Sequence, residues 1–453
     1  MRHPSPSRAA ASAHPLQALW SGALVVVSLA LMAKASGAFK EIALARQFGT
    51  AALVDQFLFA FTVATWPAAL AMSVLTVSLT PILARPGATQ EPAMRRFMGQ
   101  VWIASVGLSV LSALALWLAF PSMSPVAADA SPWMARVVGL VALLSSLSAL
   151  ATVILMCHRC QIGTLLEGVP SLVLGGLLLA MPWGPQTTLL WGLVLGMVLQ
   201  LVCLLSLHRQ IVGFAPVART STRLQWKALV RGLSYTCAGY AILSTAPLIE
   251  LTFAGHFSAG SVASLGYAGR LTSLAAGLLV TVVNRVAIAH FCAGAFGRTV
   301  PHGRWSGLLG ITAVFALAST VLAAGLIMWA PELVSLIYQR GQFDAESTAM
   351  VAGLMRWHLA QLPLYVTTVV LCARLCAMGA FRQVFIACLV CFCARVIWAA
   401  LGSQAIGLQA IAIAPGVGYA FMLVYLLTVF LSGRLSIAGP QWQDSRITRK
   451  VLA

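Results

Sequence analysis

Residues Leu16 to Arg46 read LQALWSGALVVVSLALMAKASGAFKEIALAR. The run from Leu16 to Ala33 has no charge and nearly suffices to cross a hydrocarbon core of about 30 Å. Lys34, Lys40, Glu41 and Arg46 follow it directly. On one reading the helix stops near Ala33 and the lysines anchor it at the membrane interface. That would set three basic residues on the side of the membrane that the other connections keep free of them. On the other reading a single helix of about thirty residues, some 45 Å at 1.5 Å per residue, tilts or bends around a polar interior. Lys34 and Glu41, seven residues apart, then share a face, and Gly37 between them allows a bend or a close approach. The second reading is adopted.

Composition extends this reading to the whole chain. Sixty per cent of the 453 residues are apolar and 8% are charged, against about a quarter charged in soluble domains. So few charges cannot cover a soluble fold, so the solvent is lipid. There the backbone must satisfy itself, as a helix bundle or a closed barrel. Barrel strands alternate over roughly ten residues. The apolar runs here last about twenty and are rich in Leu, Ala, Val and Gly, so the fold class is all-α and polytopic.

Twelve hydrophobic segments are predicted: 17–47, 53–83, 98–120, 133–156, 163–182, 187–207, 227–253, 261–292, 306–330, 348–374, 382–401 and 407–432. The organisation expected is a cytoplasmic tail (1–16), a six-helix lobe (17–210), a basic cytoplasmic linker (211–226), a second six-helix lobe (227–432) and a basic cytoplasmic tail (433–453). The start, with Arg2 and Arg8, reads as a tail and shows no cleavage site. Alternate connections hold the basic residues: Arg85, Arg95 and Arg96; Arg159; Arg209, Arg219, Arg223 and Lys227; Arg298 and Arg304; Arg374 and Arg382; then Arg434 to Lys450. Connections such as 121–132, 182–186, 255–261 and 402–406 have none. This positive-inside pattern places both termini in the cytoplasm. It also accounts for the formal charge of +18 without invoking nucleic acid. Membrane lipids are the expected surface partner.

The ends of segments four and ten match in part. Val153, Leu155, Cys160 and Gly163 recur as Val369, Leu371, Cys376 and Gly379. Six spans per half give parallel repeats around a central path, an arrangement found in transporters. The ten cysteines read as small hydrophobes, and Cys157 and Cys160 lack a second pair to complete a zinc site.

Arg270 and Arg285 fall inside segment eight, Glu250 in segment seven and Arg395 in segment eleven. A charge at the bilayer centre costs about 2.5–3.5 kcal/mol on insertion scales. The arginines of segment eight either snorkel to the two interfaces or, with the lysines of segment one, converge on a central cavity. Fixed cations there suit an anionic substrate, phosphate above all, through charge-assisted hydrogen bonds. Glu250 and Arg395 are read as a structural ion pair, with Glu250 as a coupling-cation site the alternative.

At these residues the chain resembles the MurJ/MviN family of lipid II flippases, within the superfamily of polysaccharide flippases and multidrug/toxin extruders. The resemblance runs through Lys34-Ala35-Ser36-Gly37-Ala38-Phe39-Lys40-Glu41, Ala45-Arg46-Gln47-Phe48-Gly49, Val54-Asp55-Gln56-Phe57, Tyr267-Ala268-Gly269-Arg270-Leu271 and Tyr338–Asp344. It implies that Lys34, Lys40, Glu41, Asp55 and Arg270 line a cavity for a diphosphate-sugar head. Two departures bear on the glycan: residues 66–70 contain no charge where the family has a basic pair, and twelve segments are read where the family typically has fourteen.

The resemblance therefore implies no enzyme but a flippase of the bacterial cytoplasmic membrane. Its expected substrate is an undecaprenyl-diphosphate-linked saccharide, either lipid II or a related surface-glycan precursor, moved by alternating access. Cell-envelope biosynthesis enzymes are the expected protein partners. No cofactor is expected beyond a coupling ion, Na or H, and no GxxxxGK[ST] loop is present for ATP. The rival readings are a multidrug/toxin-type cation antiporter, an integral-membrane sugar polymerase or transferase, and a transport-inactive envelope scaffold.

Overall fold

The computed structural model describes residues 15–83, 92–123, 125–128, 130, 132–158, 160, 162–180, 184–211, 213, 226, 235–295, 305–378 and 380–432. The readings placed on the two tails, on Arg85, Arg159, Arg219, Arg223, Lys227, Arg298 and Arg304, and on the side chains of Arg95 and Arg285 lie outside these residues.

Sixteen α-helices follow one another among the described residues. The first half has α1 (Pro15–Phe48), α2 (Ala52–Leu83), α3 (Pro92–Ala119), the short α4 (Pro125–Ala128), α5 (Pro132–Cys157), α6 (Ile162–Leu166), α7 (Val169–Ala180) and α8 (Pro185–Ile211). The second half has α9 (Tyr235–Ala254), α10 (Ser261–Ala295), α11 (Trp305–Met328), α12 (Ala330–Tyr338), α13 (Ala345–Ala360), α14 (Leu362–Ala377), α15 (Phe381–Ile406) and α16 (Leu408–Leu431). Ten stretches among the described residues are long and apolar enough to cross a membrane. Helices α1 and α10 are longer still, at 34 and 35 residues, and carry charged residues: Lys34, Lys40, Glu41 and Arg46 on α1, Arg270 and Arg285 on α10.

Two predicted segments are each built as two helices. Segment five breaks at Glu167-Gly168, where Pro170 in the first turn of α7 has no N–H to continue the ladder. Segment ten breaks at Gln361, with Pro363 in the first turn of α14. The helix-ending hydrogen bonds Cys160 N–H to Leu155 O and Ala380 N–H to Leu375 O are alike. The sequence match between segments four and ten lies one helical turn out of register with them.

Large apolar side chains cover the outside. Leu118 is 74% exposed, Leu317 68% and Leu431 81%, which only a lipid solvent tolerates around a whole fold. In the first half α5 packs against α2, α3 and α8, and α7 against α1 and α8. In the second, α15 packs on α9 and α16, and α14 on α10 and α11. The halves meet where α1 and α2 touch α9, α10 and α12. One apolar core crosses this junction, joining Leu44, Val54 and Phe57 to Val262, Tyr267, Val334 and Tyr338.

Candidate functional site

Helix α1 continues unbroken through Gly37, which faces open space, so that glycine provides no close approach. The close approach is made by the glycines opposite. A Cβ on Gly168 would lie 2.8 Å from Ser36 Oγ, and one on Gly175 would lie 2.6 Å from the Phe39 ring. Seven residues apart, these two glycines let α1 sink onto the fifth segment. That seating fixes the rotation of α1 and turns Lys34, Lys40 and Glu41 toward the junction.

Helix α10 meets that face antiparallel. Lys34 Nζ lies 3.0 Å from where a Cβ on Gly277 would be, and Glu41 meets Arg270. Seven residues separate each pair of positions, about 10.5 Å on both helices, so the two contacts stay in step. Lys40 and Glu41 are 3% and 2% exposed. Glu41 Oε1 lies 3.0 Å from Lys40 Nζ and 3.3 Å from Arg270 Nε. Its second oxygen, Oε2, is buried with no hydrogen-bond partner. Lys40 also stands 4.3 Å over the Phe61 ring of α2, and the Arg270 guanidinium 5.9 Å from it.

Arg270 differs from its neighbours because its side chain is 48% exposed. Its Nε lies against Glu41 while about half of the side chain stays exposed, so the guanidinium can still offer an oxyanion the charge-assisted grip that suits it. Glu167, at the break between α6 and α7, interacts electrostatically with Lys34. Three cations against two carboxylates leave the cluster one net positive charge.

Asp55 sits away from this cluster. Its Oδ2 accepts from Gly260 N–H at 2.5 Å and its Oδ1 from Ala263 N–H at 2.6 Å. A carboxylate of α2 thereby caps the start of α10, where unpaired N–H groups and the helix dipole favour negative charge. The same end of the molecule is closed by backbone. Gln342 N–H donates to Arg46 O at 3.0 Å, Tyr267 OH to Gly49 O at 3.1 Å, and Thr50 and Ser347 hydroxyls lie 3.1 Å apart. Gly49 (φ 54°) and Gly341 (φ 64°) adopt left-handed conformations. A Cβ on Gly49 would lie 2.5 Å from Gln342 O, and one on Gly341 would overlap Arg46 O. The α1–α2 corner thus seals against the α12–α13 turn.

Glu250 and Arg395 come together within the second half. Arg395 donates to Glu250 Oε1 through Nε at 2.9 Å and Nη2 at 2.6 Å. Both residues are buried, and the guanidinium lies 5.9 Å from the Tyr419 ring. Gly418 makes room for the arginine stem, which a Cβ there would overlap.

Two participants were not singled out in the sequence. Glu167 had a readable signal, a lone carboxylate within an apolar run. Phe61 had none, being one of several aromatics along α2.

The family model described as lipid II flippase MurJ matches residues 44–451. No curated protein matches the chain by sequence. Among solved structures, a lipid II flippase MurJ in an inward closed conformation superposes with a TM-score of 0.71 at 16% identity, covering 90% of this chain and 87% of that one. An inward-facing multidrug resistance MATE family transporter of the MOP superfamily gives 0.68 at 17% identity, covering 92% and 98%. A MOP superfamily transporter from Pyrococcus furiosus, described with a binding pocket of reverse polarity, gives 0.61 at 17% identity, covering 92% and 95%. At such identities these likenesses establish the shared helical fold.

Proposed function

Since the chain belongs to the lipid II flippase MurJ family, we propose that it carries an undecaprenyl-diphosphate-linked saccharide from the cytoplasmic to the outer leaflet of the bacterial cytoplasmic membrane. The observation that carries this reading is Arg270: a half-exposed side chain at the junction of the halves, its Nε 3.3 Å from Oε1 of the buried Glu41. An arriving diphosphate takes the terminal nitrogens of Arg270 and competes with Glu41 for Lys40. Lys34 lies about 10 Å further along the same face, by seven residues at 1.5 Å each, and meets the more distant part of the head. Glu41 keeps the empty site from carrying unbalanced cations in a low-dielectric setting, where an unpaired charge is costly.

The positive-inside pattern puts both termini in the cytoplasm and the sealed α1–α2 corner on the outer side. With that corner sealed, the outward route from the site is closed. Outward release requires the Gly49–Gln342 and Gly341–Arg46 contacts and the Tyr267 and Thr50 hydrogen bonds to part while the halves rock, the saccharide passing between them and the polyprenyl chain staying in lipid. Two negative charges moved outward without compensation gain roughly 4.6 kcal/mol from 100 mV, at 2.3 per charge. A coupling ion, Na or H, would change that figure. The natural partners are enzymes that assemble the lipid-linked sugar inside and those that consume it outside.

A multidrug-type cation antiporter is the second reading, supported by the shared fold. Net positive charge at the junction disfavours it, because an organic cation would meet Lys34, Lys40 and Arg270. The deciding experiment reconstitutes the protein in liposomes and follows both cargoes. Outward movement of the lipid-linked saccharide with no ethidium efflux supports the flippase. Ethidium efflux with no saccharide movement replaces it by the antiporter.

A further inference from the structure

A cavity of about 390 Å³ opens on the second half beside the cationic cluster. This is within the roughly 300–1,000 Å³ typical of ligand sites. Its walls include Leu271, Leu274 and Leu278 of α10, Leu322 and Leu326 of α11, and Ile337 of α12, and every lining residue is apolar. Leu278 and Leu322, 46% and 37% exposed, form an open rim. The wall on α10 runs from Leu271 to Leu279. Those eight rises make about 12 Å, most of the roughly 15 Å of one leaflet in a core of about 30 Å.

Leu274 lies one turn beyond Arg270 on the same helix face, so the groove begins where the cation site ends. Arg270 itself is nine residues into α10, about 13.5 Å from the helix start. A resident phospholipid keeps its phosphate in the headgroup layer, far from that depth. Apolar contact alone does not choose an occupant either, since lipid chains are as apolar as leucine. A lipid whose phosphate is drawn into the protein and is joined directly to its chain meets both features at once.

Resting on the flippase reading above, we propose that this groove holds the first isoprenoid units of the substrate's polyprenyl chain while Arg270 holds its diphosphate. The groove then aligns the lipid rather than adding much affinity.

The test uses the full-length protein in nanodiscs with a polyprenyl-diphosphate sugar bearing a diazirine in its first isoprene units. A phospholipid with the same diazirine at mid-chain is the control. In wild type the polyprenyl probe labels peptides 271–279 and 322–326. Arg270→Gln lowers that label at least fivefold while leaving phospholipid labelling unchanged, which also shows that the variant is folded. Ala275→Trp fills the groove and shifts the label elsewhere, with saturable head binding retained within about twofold. Label that is spread like the phospholipid's, or that persists in Arg270→Gln, overturns the groove and leaves the flippase standing. Absence of saturable binding to wild type overturns both.

Discussion

Replacing Glu41 should cost more than replacing Lys40, although the two form one ion pair. Glu41 Oε1 is 3.0 Å from Lys40 Nζ and 3.3 Å from Arg270 Nε. At an effective dielectric of about 20 the first contact is worth roughly 5 kcal/mol. The second is smaller in effect, because Arg270 is half exposed and screened. Lys40→Met leaves Glu41 with Arg270 still beside it. Glu41→Gln leaves a buried ammonium with no carboxylate and a neighbouring cation. Removing one member of a buried pair typically costs about 3–5 kcal/mol, while replacing both by neutral groups is often tolerated. The expectation is therefore about 3 kcal/mol lost in Lys40→Met and about 5 in Glu41→Gln. In Lys40→Met/Glu41→Gln the loss should fall well below the sum, with a coupling of roughly 3 kcal/mol or more. Reversible denaturant unfolding of the purified protein in mixed micelles, run as a double-mutant cycle, measures this. Additive single losses, with coupling under about 1 kcal/mol, would refute the buried pair.

Three further outcomes are expected. Gly341→Ala must place a methyl group on Arg46 O at a positive φ, so the seal between the α1–α2 corner and the α12–α13 turn loosens. A cysteine at Thr50 should become several-fold more reactive to an impermeant maleimide than in the parent. Arg395→Gln strands Glu250 in the core of the second half at a cost of about 3–5 kcal/mol, and Arg395→Gln/Glu250→Gln should recover most of it in thermal unfolding. The backbone N–H and the hydroxyl of Ser347 hold the Asp344 carboxyl below its ordinary range. A depressed carboxyl pKa gives stabilisation that is fully present above the unfolded value of about 3.9 and lost as pH falls through the folded value. Protection of the Ser347 amide, corrected for intrinsic exchange, should persist at pH 5 and decline only below pH 4 or so.

Much of the fold was legible because lipid imposes a simple rule: long uncharged runs become helices, and exceptions stand out. Lys34, Lys40 and Arg270 were readable on that ground, and the seven-residue spacing of Lys34 and Glu41 put them on one face, which the structure lays against α10. Their partners were harder to read. Nothing in the chain says that Glu41 meets Arg270 rather than water, since that contact depends on how deeply α1 seats against Gly168 and Gly175. Gly37 was the conspicuous glycine and does nothing comparable; the informative pair was on the opposite helix. Asp55 shows a different limit. Its position near the start of α2 was plain, yet its two bonds to Gly260 and Ala263 come from a turn some two hundred residues away. The breaks at Glu167 and Gln361 had Pro170 and Pro363 as signals, but the apolar residues on either side of each add up to the length of one span.

The most direct test compares wild type, Arg270→Gln and Lys40→Ala for translocation of an undecaprenyl-diphosphate-linked saccharide in liposomes, with insertion and folding verified. A hydrogen bond to a charged group is worth about 1.5–3 kcal/mol, and 1.4 kcal/mol is tenfold. Both variants should therefore move the saccharide at least tenfold more slowly at subsaturating substrate. Wild-type rates in either folded variant would contradict the claim that the Lys40–Glu41–Arg270 cluster receives the diphosphate.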